Sequence, residues 1–384
     1  MSLWPRAVYV HVPFCLHHCG YCDFTLVASR DHLIPQYLEC LSREICHQTA
    51  GLSLPLPVDT IFIGGGTPTH LTPDQLQILL TTISQAFELS AQGEFSVEAN
   101  PDGLDDPRLA VLQSFRVNRL SLGVQSFDQS QLQTLERTHQ PADALEVIQR
   151  ARKYFQNVSV DLIFGVPGQS LSAWEQTLLT AAALPIQHIS TYGLTYEQGT
   201  PFFRRANQGV LRKLPDEVER DMYLAAIRIL QSHGLNHYEV SNFARDGFQC
   251  RHNMVYWNAD EYFAFGPGAA RYIHGVRSTG VRSVVRWLRS WNHHEPCLED
   301  VEQNTSEEKA REAVMLGLRL RKGFRISELE HRFDVCLRTL AGPALDRGFR
   351  NGLIEESEGF LRLTENGLLL ADTVVSDFLV GDDP

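Results

Sequence analysis

The chain has 384 residues, of which 43% are hydrophobic, and its 34 Lys and Arg against 46 Asp and Glu give a formal net charge of -12. This acidic balance argues against a nucleic-acid partner, because phosphate backbones are bound mainly by Lys and Arg. The sequence has neither a run of roughly 18 apolar residues, as a membrane span needs, nor a secretory signal at its start. We therefore expect a cytoplasmic protein whose eight cysteines stay reduced.

Residues 7 to about 234 alternate between short β-rich runs and amphipathic helical runs. Six strand-then-helix units in series predict an α/β fold with a parallel sheet and right-handed crossovers. Six units are fewer than the eight of a TIM barrel, so a partial barrel and an open, doubly wound sheet both fit. The predicted strands are Val8–Val12, Thr60–Ile63, Phe95–Glu98, Arg119–Val124, Val158–Phe164 and His188–Leu194, and the predicted helices lie near 33–49, 73–88, 106–115, 128–137, 141–155, 171–184 and 216–233.

The pattern changes after about residue 290. Thr305-Ser-Glu-Glu308 is a capping box before a predicted helix that runs to Leu320. Further helical runs and a small hairpin around Phe360–Leu363 follow, and a last helix ends near Leu379. We predict a large unit over 1–290, with an extension at about 235–290, and a separate α+β, winged-helix-like domain over 300–384.

Three of the cysteines have the spacing of a metal-binding motif. Cys15-Leu-His-His-Cys19-Gly-Tyr-Cys22 comes directly after the first predicted strand. Three thiolates leave one iron of a [4Fe–4S] cluster without a protein ligand, and an incomplete ligand shell keeps a metal available to a substrate. The alternative is a zinc site with His17 or His18 as the fourth ligand, which lacks the second Cys pair of a zinc ribbon.

Glycines and polar residues follow several of the predicted strands. Gly64-Gly-Gly-Thr-Pro68 follows the second strand, Glu98-Ala-Asn-Pro101 ends the third, and Gln125 follows the fourth. Asp161 lies within the fifth strand, and Gly193 is late in the sixth. Functional residues of a β/α barrel gather at the carboxyl ends of its strands, so these residues are candidates for a binding site although each is a weak signal alone.

The Cys-x3-Cys-x2-Cys motif, with an aromatic residue before its last cysteine, resembles the radical S-adenosylmethionine superfamily. The resemblance implies a partial (β/α)6 TIM-like barrel over 1–290 and a [4Fe–4S] cluster on Cys15, Cys19 and Cys22, completed by S-adenosylmethionine. In that superfamily the reduced cluster cleaves the sulfonium to a 5′-deoxyadenosyl radical, so a reductant such as flavodoxin or ferredoxin is implied. By resemblance, the residues that contact the cofactors are Tyr9, Tyr21, Gly65, Gly66, Thr67, Glu98, Gln125, Arg137, Asp161 and Gly193, with Arg137 pairing the methionine carboxylate.

The resemblance extends to the HemN-like branch, named after the oxygen-independent coproporphyrinogen III dehydrogenase. That enzyme has a fourth cysteine where Phe24 stands here, and an N-terminal extension before the first strand, which here begins near residue 7. These departures put decarboxylase activity in doubt and match instead the haem-chaperone family, HemW. The segments that resemble the branch are Val12–Cys15, Phe62–Pro68, Arg119–Phe127, Asp161–Gly168, Tyr238–Ala244 and the C-terminal domain.

The haem-chaperone signature is His252-Asn-Met-Val-Tyr-Trp257. Imidazole is a common ligand of haem iron, and aromatic neighbours suit a flat apolar macrocycle. The resemblance implies a protein that binds haem at or near His252 and passes it to acceptor proteins at the inner face of the membrane. Two alternatives stay open, namely a radical decarboxylase of coproporphyrinogen III and a zinc-stabilised binding protein, and the sequence leaves undecided whether the chain is an enzyme.

Overall fold

The computed structural model of the chain describes residues 4–379. Its strands are β1 (Ala7–Val12), β2 (Phe14–Cys15), β3 (Val27–Ala28), β4 (Leu56–Gly65), β5 (Phe87–Ala99), β6 (Arg119–Gln125), β7 (Asn157–Phe164), β8 (His188–Gly193), β9 (Asn236–Glu239), β10 (Asn242–Ala244), β11 (Phe263–Phe265), β12 (Ala270–Ile273), β13 (Val276–Gly280), β14 (Leu298–Gln303), β15 (Phe324–Arg325), β16 (Ile354–Ser357) and β17 (Phe360–Leu363).

Fifteen α-helices connect or cover these strands in the described part of the chain. They are α1 (Ile34–Gln48), α2 (Pro73–Ala86), α3 (Asp106–Ser114), α4 (Gln129–Thr134), α5 (Pro141–Ala151), α6 (Leu171–Ala182), α7 (Pro201–Asn207), α8 (Asp216–Ser232), α9 (Arg251–Trp257), α10 (Val284–Asn292), α11 (Ser306–Gly317), α12 (Ile326–Phe333), α13 (Leu337–Arg350), α14 (Glu365–Leu369) and α15 (Ala371–Ser376).

The main sheet has nine strands in the order β11-β1-β4-β5-β6-β7-β8-β10-β9. The six predicted strands are its central members and run parallel, as expected for β/α units. The sheet is an open arc, because β11 and β9 are its two edges. The α/β class and the partial barrel are therefore confirmed.

Six strand units are too few for the observed sheet. A seventh parallel strand, β11, pairs with β1, and the antiparallel pair β10 and β9 extends the other edge. These strands have only three or four residues, which is too short for a periodic pattern to stand out, so the sequence analysis missed them.

The two faces of the arc differ in polarity. Leu120, Leu122 and Val124 of β6 belong to the large hydrophobic core, into which the covering helices also pack. The residues that alternate with them, Arg119 and Ser121, are buried but polar. A parallel sheet covered on both faces is usually apolar throughout, so this polar face is a candidate binding surface.

The C-terminal part has a core of its own, formed by residues between 310 and 378. Its sheet has the order β15-β17-β16, and α11 begins with the predicted capping box, in which the Glu308 N–H donates to the Thr305 hydroxyl (3.2 Å). The predicted domain limits of 1–290 and 300–384 stay a prediction, and residues 380–384 lie outside the described range. No helix within residues 4–379 has the length and apolar character of a membrane span.

Candidate functional site

The three motif cysteines lie on the loop that follows β1. Cys15 and Cys19 are buried and Cys22 is half-buried. The Cys22 N–H donates to the Cys19 carbonyl (3.1 Å), which closes a tight turn between them. Burial raises the pKa of Cys15, and it raises that of Cys22 to about 12. The Cys15 and Cys22 thiols are therefore protonated in the cofactor-free chain, and a metal cluster would displace their protons on binding.

Thr67 and Asn100 join the cysteine loop to the sheet. The Cys15 sulfur lies 3.3 Å from the Thr67 hydroxyl, which accepts a hydrogen bond from the Asn100 side-chain amide (2.8 Å). Arg137 in turn donates to the Asn100 side-chain oxygen (2.6 Å) and to the Gly123 carbonyl (2.9 Å), and its other terminal nitrogen lies 3.7 Å from the Cys19 sulfur. Two motif cysteines and two predicted cofactor residues therefore belong to one contact network.

The glycine loop after β4 packs tightly against the cysteine loop. The Gly66 N–H donates to the Val12 carbonyl (2.8 Å), and a Cβ atom on Gly66 would lie 2.8 Å from the Phe14 carbonyl oxygen. Gly65 has a φ of +106°, and a Cβ atom there would meet the His11 ring at 2.5 Å. Only glycine allows this close approach of backbones.

A pair of half-buried carboxyl groups, Glu98 and Asp161, lies beneath the glycine loop. Glu98 accepts a hydrogen bond from the Gly65 N–H (3.0 Å), and Asp161 accepts one from the Ser121 hydroxyl (3.3 Å). Burial, and then the charge of Asp161, raises the pKa of Glu98 to about 8. The pKa of the nearby Tyr9 hydroxyl is also raised, mainly by burial. A cationic ligand would therefore meet carboxyl groups that lose their protons readily when a positive charge arrives.

The remaining predicted cofactor residues have mixed surroundings. Tyr21 packs edge-on against Phe202, and its burial raises the hydroxyl pKa. Gln125 ends β6 with a φ of +64°, and its amide nitrogen faces Gly123. Gly193 ends β8 and is exposed at the mouth of the arc, where a Cβ atom would lie 3.3 Å from the Phe164 ring.

An open cavity of about 610 Å³ joins part of these residues. It is bounded on one side by the cysteine loop and on the other by the ends of the neighbouring strands. Its lining includes predicted residues and others that the sequence analysis did not single out, namely Cys15, Leu16, His17, Cys19, Thr67, Thr69, His70, Asn100, Asp102, Gly103, Arg108, Glu136, Arg137 and Thr138.

The three thiols do not form a ready-made ligand set. Within residues 4–379, no three His, Cys, Asp or Glu side chains are placed to hold a metal ion. The assignment of Cys15, Cys19 and Cys22 as ligands therefore stays a prediction from the motif. Their chemistry fits an iron–sulfur cluster, since such clusters are held by thiolates. The alternative zinc site would use His17 or His18 as its fourth ligand. The His18 ring already contacts the Cys22 carbonyl (3.0 Å).

His252 lies apart from the cysteines, at the level of Thr60 in β4. The Thr60 hydroxyl contacts its Nδ1 atom (2.9 Å), and the Tyr256 hydroxyl contacts its Nε2 atom (2.9 Å). The ring also packs on Phe62 with centroids 5.3 Å apart. Thr60 and Gly65 are five residues apart on one strand, which corresponds to about 16 Å. The glycine loop and His252 therefore lie at different heights along β4.

Among the residues that the sequence analysis missed, two contact predicted site residues directly, namely Asn100 and Glu94. Asn100 bridges Thr67 and Arg137, and its place in the segment Glu98–Pro101 was the available signal. Glu94 accepts hydrogen bonds from the backbone N–H groups of Arg251 (3.0 Å) and His252 (3.1 Å). Because Glu94 is about 160 residues from its partners, nothing in the local sequence indicates this contact.

Comparison with known proteins identifies the family of this chain. Residues 9–181 match the model of the Radical SAM superfamily, and residues 304–370 match that of the HemN C-terminal domain. The chain is 37% identical to the heme chaperone HemW of Bacillus subtilis, over 97% of this chain and 99% of that protein. It is 35% identical to the heme chaperone HemW of Lactococcus lactis, over 98% of each chain. The chain belongs to the HemW family.

The fold comparison gives a second relative. The structure of coproporphyrinogen III oxidase (HemN) from Escherichia coli, described as a radical SAM enzyme, has a TM-score of 0.84 and covers 98% of this chain and 90% of its own. At 23% identity this likeness shows the fold alone. The expected resemblance to the HemN-like branch is confirmed, and membership of the radical SAM superfamily implies a [4Fe–4S] cluster and S-adenosylmethionine.

Proposed function

We propose that this chain is a haem chaperone, which binds haem through His252 and passes it to haem-requiring acceptor proteins. The observation that carries the proposal is identity over nearly the whole chain with relatives named heme chaperone HemW. The chemistry of His252 supports it. Burial lowers the pKa of His252 to about 3, so the imidazole is neutral and its nitrogen lone pair can bind iron once the ring is exposed.

The cofactor site has a regulatory role in this proposal. Cys15, Cys19 and Cys22 would hold the cluster, and Arg137 and the glycine loop would orient S-adenosylmethionine; this cofactor, when cleaved, supplies radical chemistry. A flavodoxin or ferredoxin would supply electrons. In this proposal the chaperone acts in the cytoplasm and at the inner face of the membrane, where it would reach membrane-associated acceptor proteins.

The regulatory role can be tested separately from haem binding. A variant with all three motif cysteines replaced by alanine would lack the cluster, while His252 and its surroundings would be unchanged. We expect this variant to bind haem but to transfer it abnormally. Normal transfer by the cluster-free variant would contradict the regulatory role and leave the chaperone function intact.

An anaerobic haem titration tests the binding proposal. We expect saturation near one haem per chain, and at least 10-fold weaker binding by His252→Gln, since glutamine retains hydrogen bonding to Thr60 but is a poor iron ligand. His237→Ala is the matched control, because His237 is also buried but lies in β9 at the sheet edge. Equal haem binding by all three proteins would contradict the proposal.

The decarboxylase alternative needs its own assay. It predicts consumption of coproporphyrinogen III under anaerobic, reducing conditions with S-adenosylmethionine present. Phe24, which is exposed on the cysteine loop, stands in the position of that enzyme's fourth cysteine. Product formation at a rate above that of the variant with all three motif cysteines replaced by alanine would overturn the chaperone proposal in favour of an enzyme.

A further inference from the structure

The iron-binding nitrogen of His252 is inaccessible in this structure. The His252 side chain is buried, and both ring nitrogens already have hydrogen-bond partners, Thr60 and Tyr256. A haem iron needs one of these nitrogens, and its macrocycle needs space beside the ring. The carboxyl end of α9, which carries Tyr256, must therefore move away from the His252 ring before the Nε2 atom can bind haem iron.

The amino end of α9 is held by the sheet. The Glu94 carboxylate accepts the N–H groups of Arg251 and His252, and the Tyr238 hydroxyl accepts that of Cys250 (3.2 Å). Glu94 and Cys250 are both buried. Because these groups are shielded from water, breaking their contacts would leave buried polar atoms unpaired, which is costly.

The carboxyl end of α9 is held by the C-terminal domain. Arg332 in α12 donates to the carbonyls of Asn258 (2.7 Å) and Ala259 (2.6 Å), the two residues that follow the helix. Arg319, which follows α11, places its guanidinium over the Trp257 ring, 5.2 Å from the centroid. These contacts come from a part of the chain with its own core.

The two ends of α9 differ in how easily they can be released. The Arg332 side chain is 43% exposed, so water can replace its hydrogen bonds at low cost. Seven residues are also too few for a helix to persist without tertiary contacts. The carboxyl end is therefore where α9 can separate from its surroundings, with Glu94 acting as the fixed end.

We propose that the C-terminal domain latches α9 over the polar inner face of the arc, and that haem reaches His252 only when the contacts of Arg332 and Arg319 with the end of α9 are released. Arg332 and Arg319 are positioning residues in this scheme. An acceptor or cofactor that displaces the C-terminal domain would control haem entry and exit. The regulatory part rests on the haem-binding function proposed above, whereas the latch itself does not.

Two measurements on the full chain test the latch. The first is hydrogen exchange of the α9 backbone amides without haem, whose reporters include the N–H groups of Met254, Asn258 and Ala259. The second is the rate of haem association under anaerobic conditions. The variants are Arg332→Ala and Arg319→Ala, singly and together, and Arg347→Ala is the control, because its ion pair with Asp377 (3.2 Å) lies within the C-terminal domain.

We expect exchange in α9 to become about 10-fold faster in Arg332→Ala, and haem association to accelerate by a similar factor, because the competent population increases. Arg332→Lys should fall between wild type and Arg332→Ala, since lysine keeps the charge but loses the forked donor. Arg347→Ala should behave like wild type in both measurements.

Each contrary outcome has a distinct meaning. Unchanged exchange in the double variant, with wild-type unfolding behaviour, would overturn the latch. Faster exchange with unchanged haem association would overturn its control of haem entry. Faster exchange in a protein that binds no haem at all, including wild type, would support the latch and refute the proposed function. Equal acceleration in Arg347→Ala would reveal general loosening of the domain and also count against the latch.

Discussion

Individual residues of the glycine loop after β4 tolerate few substitutions. Gly66 has no space for a side chain, because backbone oxygens of Phe14 and Val12 would lie 2.8 and 2.9 Å from a Cβ atom. Thr67, directly after it, contacts Cys15. The position of Thr67 relative to the cysteine therefore depends on the absence of a side chain at Gly66.

We expect Gly66→Ala to separate the two loops. Overpacking of this kind costs about 1–3 kcal/mol of unfolding free energy, and the displaced cysteine loop should hold at most half the iron and sulfide of wild type after anaerobic reconstitution. Gly342→Ala is the control, since a Cβ atom there meets no neighbour closer than 3.9 Å. Full cluster content in Gly66→Ala would show that the close packing is not required.

In the proposed haem site, Tyr256 would compete with iron for His252. Its hydroxyl contacts the Nε2 atom, so Tyr256→Phe removes the competing hydrogen bond while keeping the ring. We expect haem binding to tighten about 3- to 10-fold in an anaerobic titration, since a hydrogen bond contributes about 0.5–1.5 kcal/mol. Tyr154→Phe, which loses an exposed contact with Asp106, should bind like wild type. Weaker binding by Tyr256→Phe would mean that this hydroxyl assists haem rather than opposing it.

Glu98 should make stability depend on pH. Its pKa is raised from 4.5 to about 8, first by burial. Between these values the unfolded chain has released the proton that the folded chain retains, so the unfolding free energy falls as pH rises from about 4.5 to 8. Replacement by glutamine removes this contribution, which is on the order of a few kcal/mol at 1.4 kcal/mol per pKa unit.

Urea unfolding of the cofactor-free chain at pH 5 and pH 8 measures this effect. We expect a smaller loss of stability over this interval in Glu98→Gln than in wild type. Glu88→Gln, at an exposed position of the same strand, should keep the wild-type slope. Identical slopes in all three proteins would show that Glu98 is ionised in the folded chain throughout the interval.

The sequence predicted the neighbouring positions of the cysteine loop and the glycine loop, but it did not predict the surroundings of His252 in α9. The glycines after β4 and the cysteines after β1 were adjacent by topology alone, because parallel strands end at one edge of a sheet. The burial of His252 had no such signal. It results from contacts with Thr60 and Glu94, which are 192 and 158 residues away in the chain, and such distant pairing leaves no periodicity to read.

At the scale of elements, the long strands were predictable and the short ones were not. Residues 157–164 form β7 as the β-rich run indicated. By contrast β11, with three residues, is stabilised by pairing with β1 rather than by its own pattern. Helix α7 has seven residues, and the sequence analysis left it unassigned. It likewise depends on its neighbours rather than on a pattern of its own. Elements of this length acquire their structure from tertiary contacts.

Helix α9 depends on one carboxylate of β5. Glu94 accepts its first two N–H groups and lies beside the buried Arg119. We expect Glu94→Ala to cost about 2–4 kcal/mol in urea unfolding, because it leaves donors and a buried cation without their partner. Glu88→Ala, an exposed position of β5, should cost less than 0.5 kcal/mol, roughly the usual range for surface changes. Similar losses in both variants would mean that Glu94 does not anchor α9.

In the whole molecule, the two proposed sites lie on one polar surface. The cysteine loop closes the carboxyl edge of the arc, whereas α9 packs against the inner face about 16 Å lower along β4. The C-terminal domain contacts α9 through Arg332, and it is joined to the chain directly after β9, where the Val240 N–H donates to the Arg319 carbonyl (3.1 Å). The cysteine loop, α9 and the C-terminal domain are thus linked through the same sheet.

A haem-transfer assay tests directly whether the chain is a haem chaperone. Haem-loaded protein is mixed anaerobically with membranes that contain a haem-free acceptor, and formation of the holo-acceptor is followed by its visible absorbance bands. We expect transfer to be faster than from an equal concentration of free haem, and we expect His252→Gln to lose this advantage. Haem that stays on the protein, or that reaches the acceptor equally fast with and without it, would contradict the chaperone function.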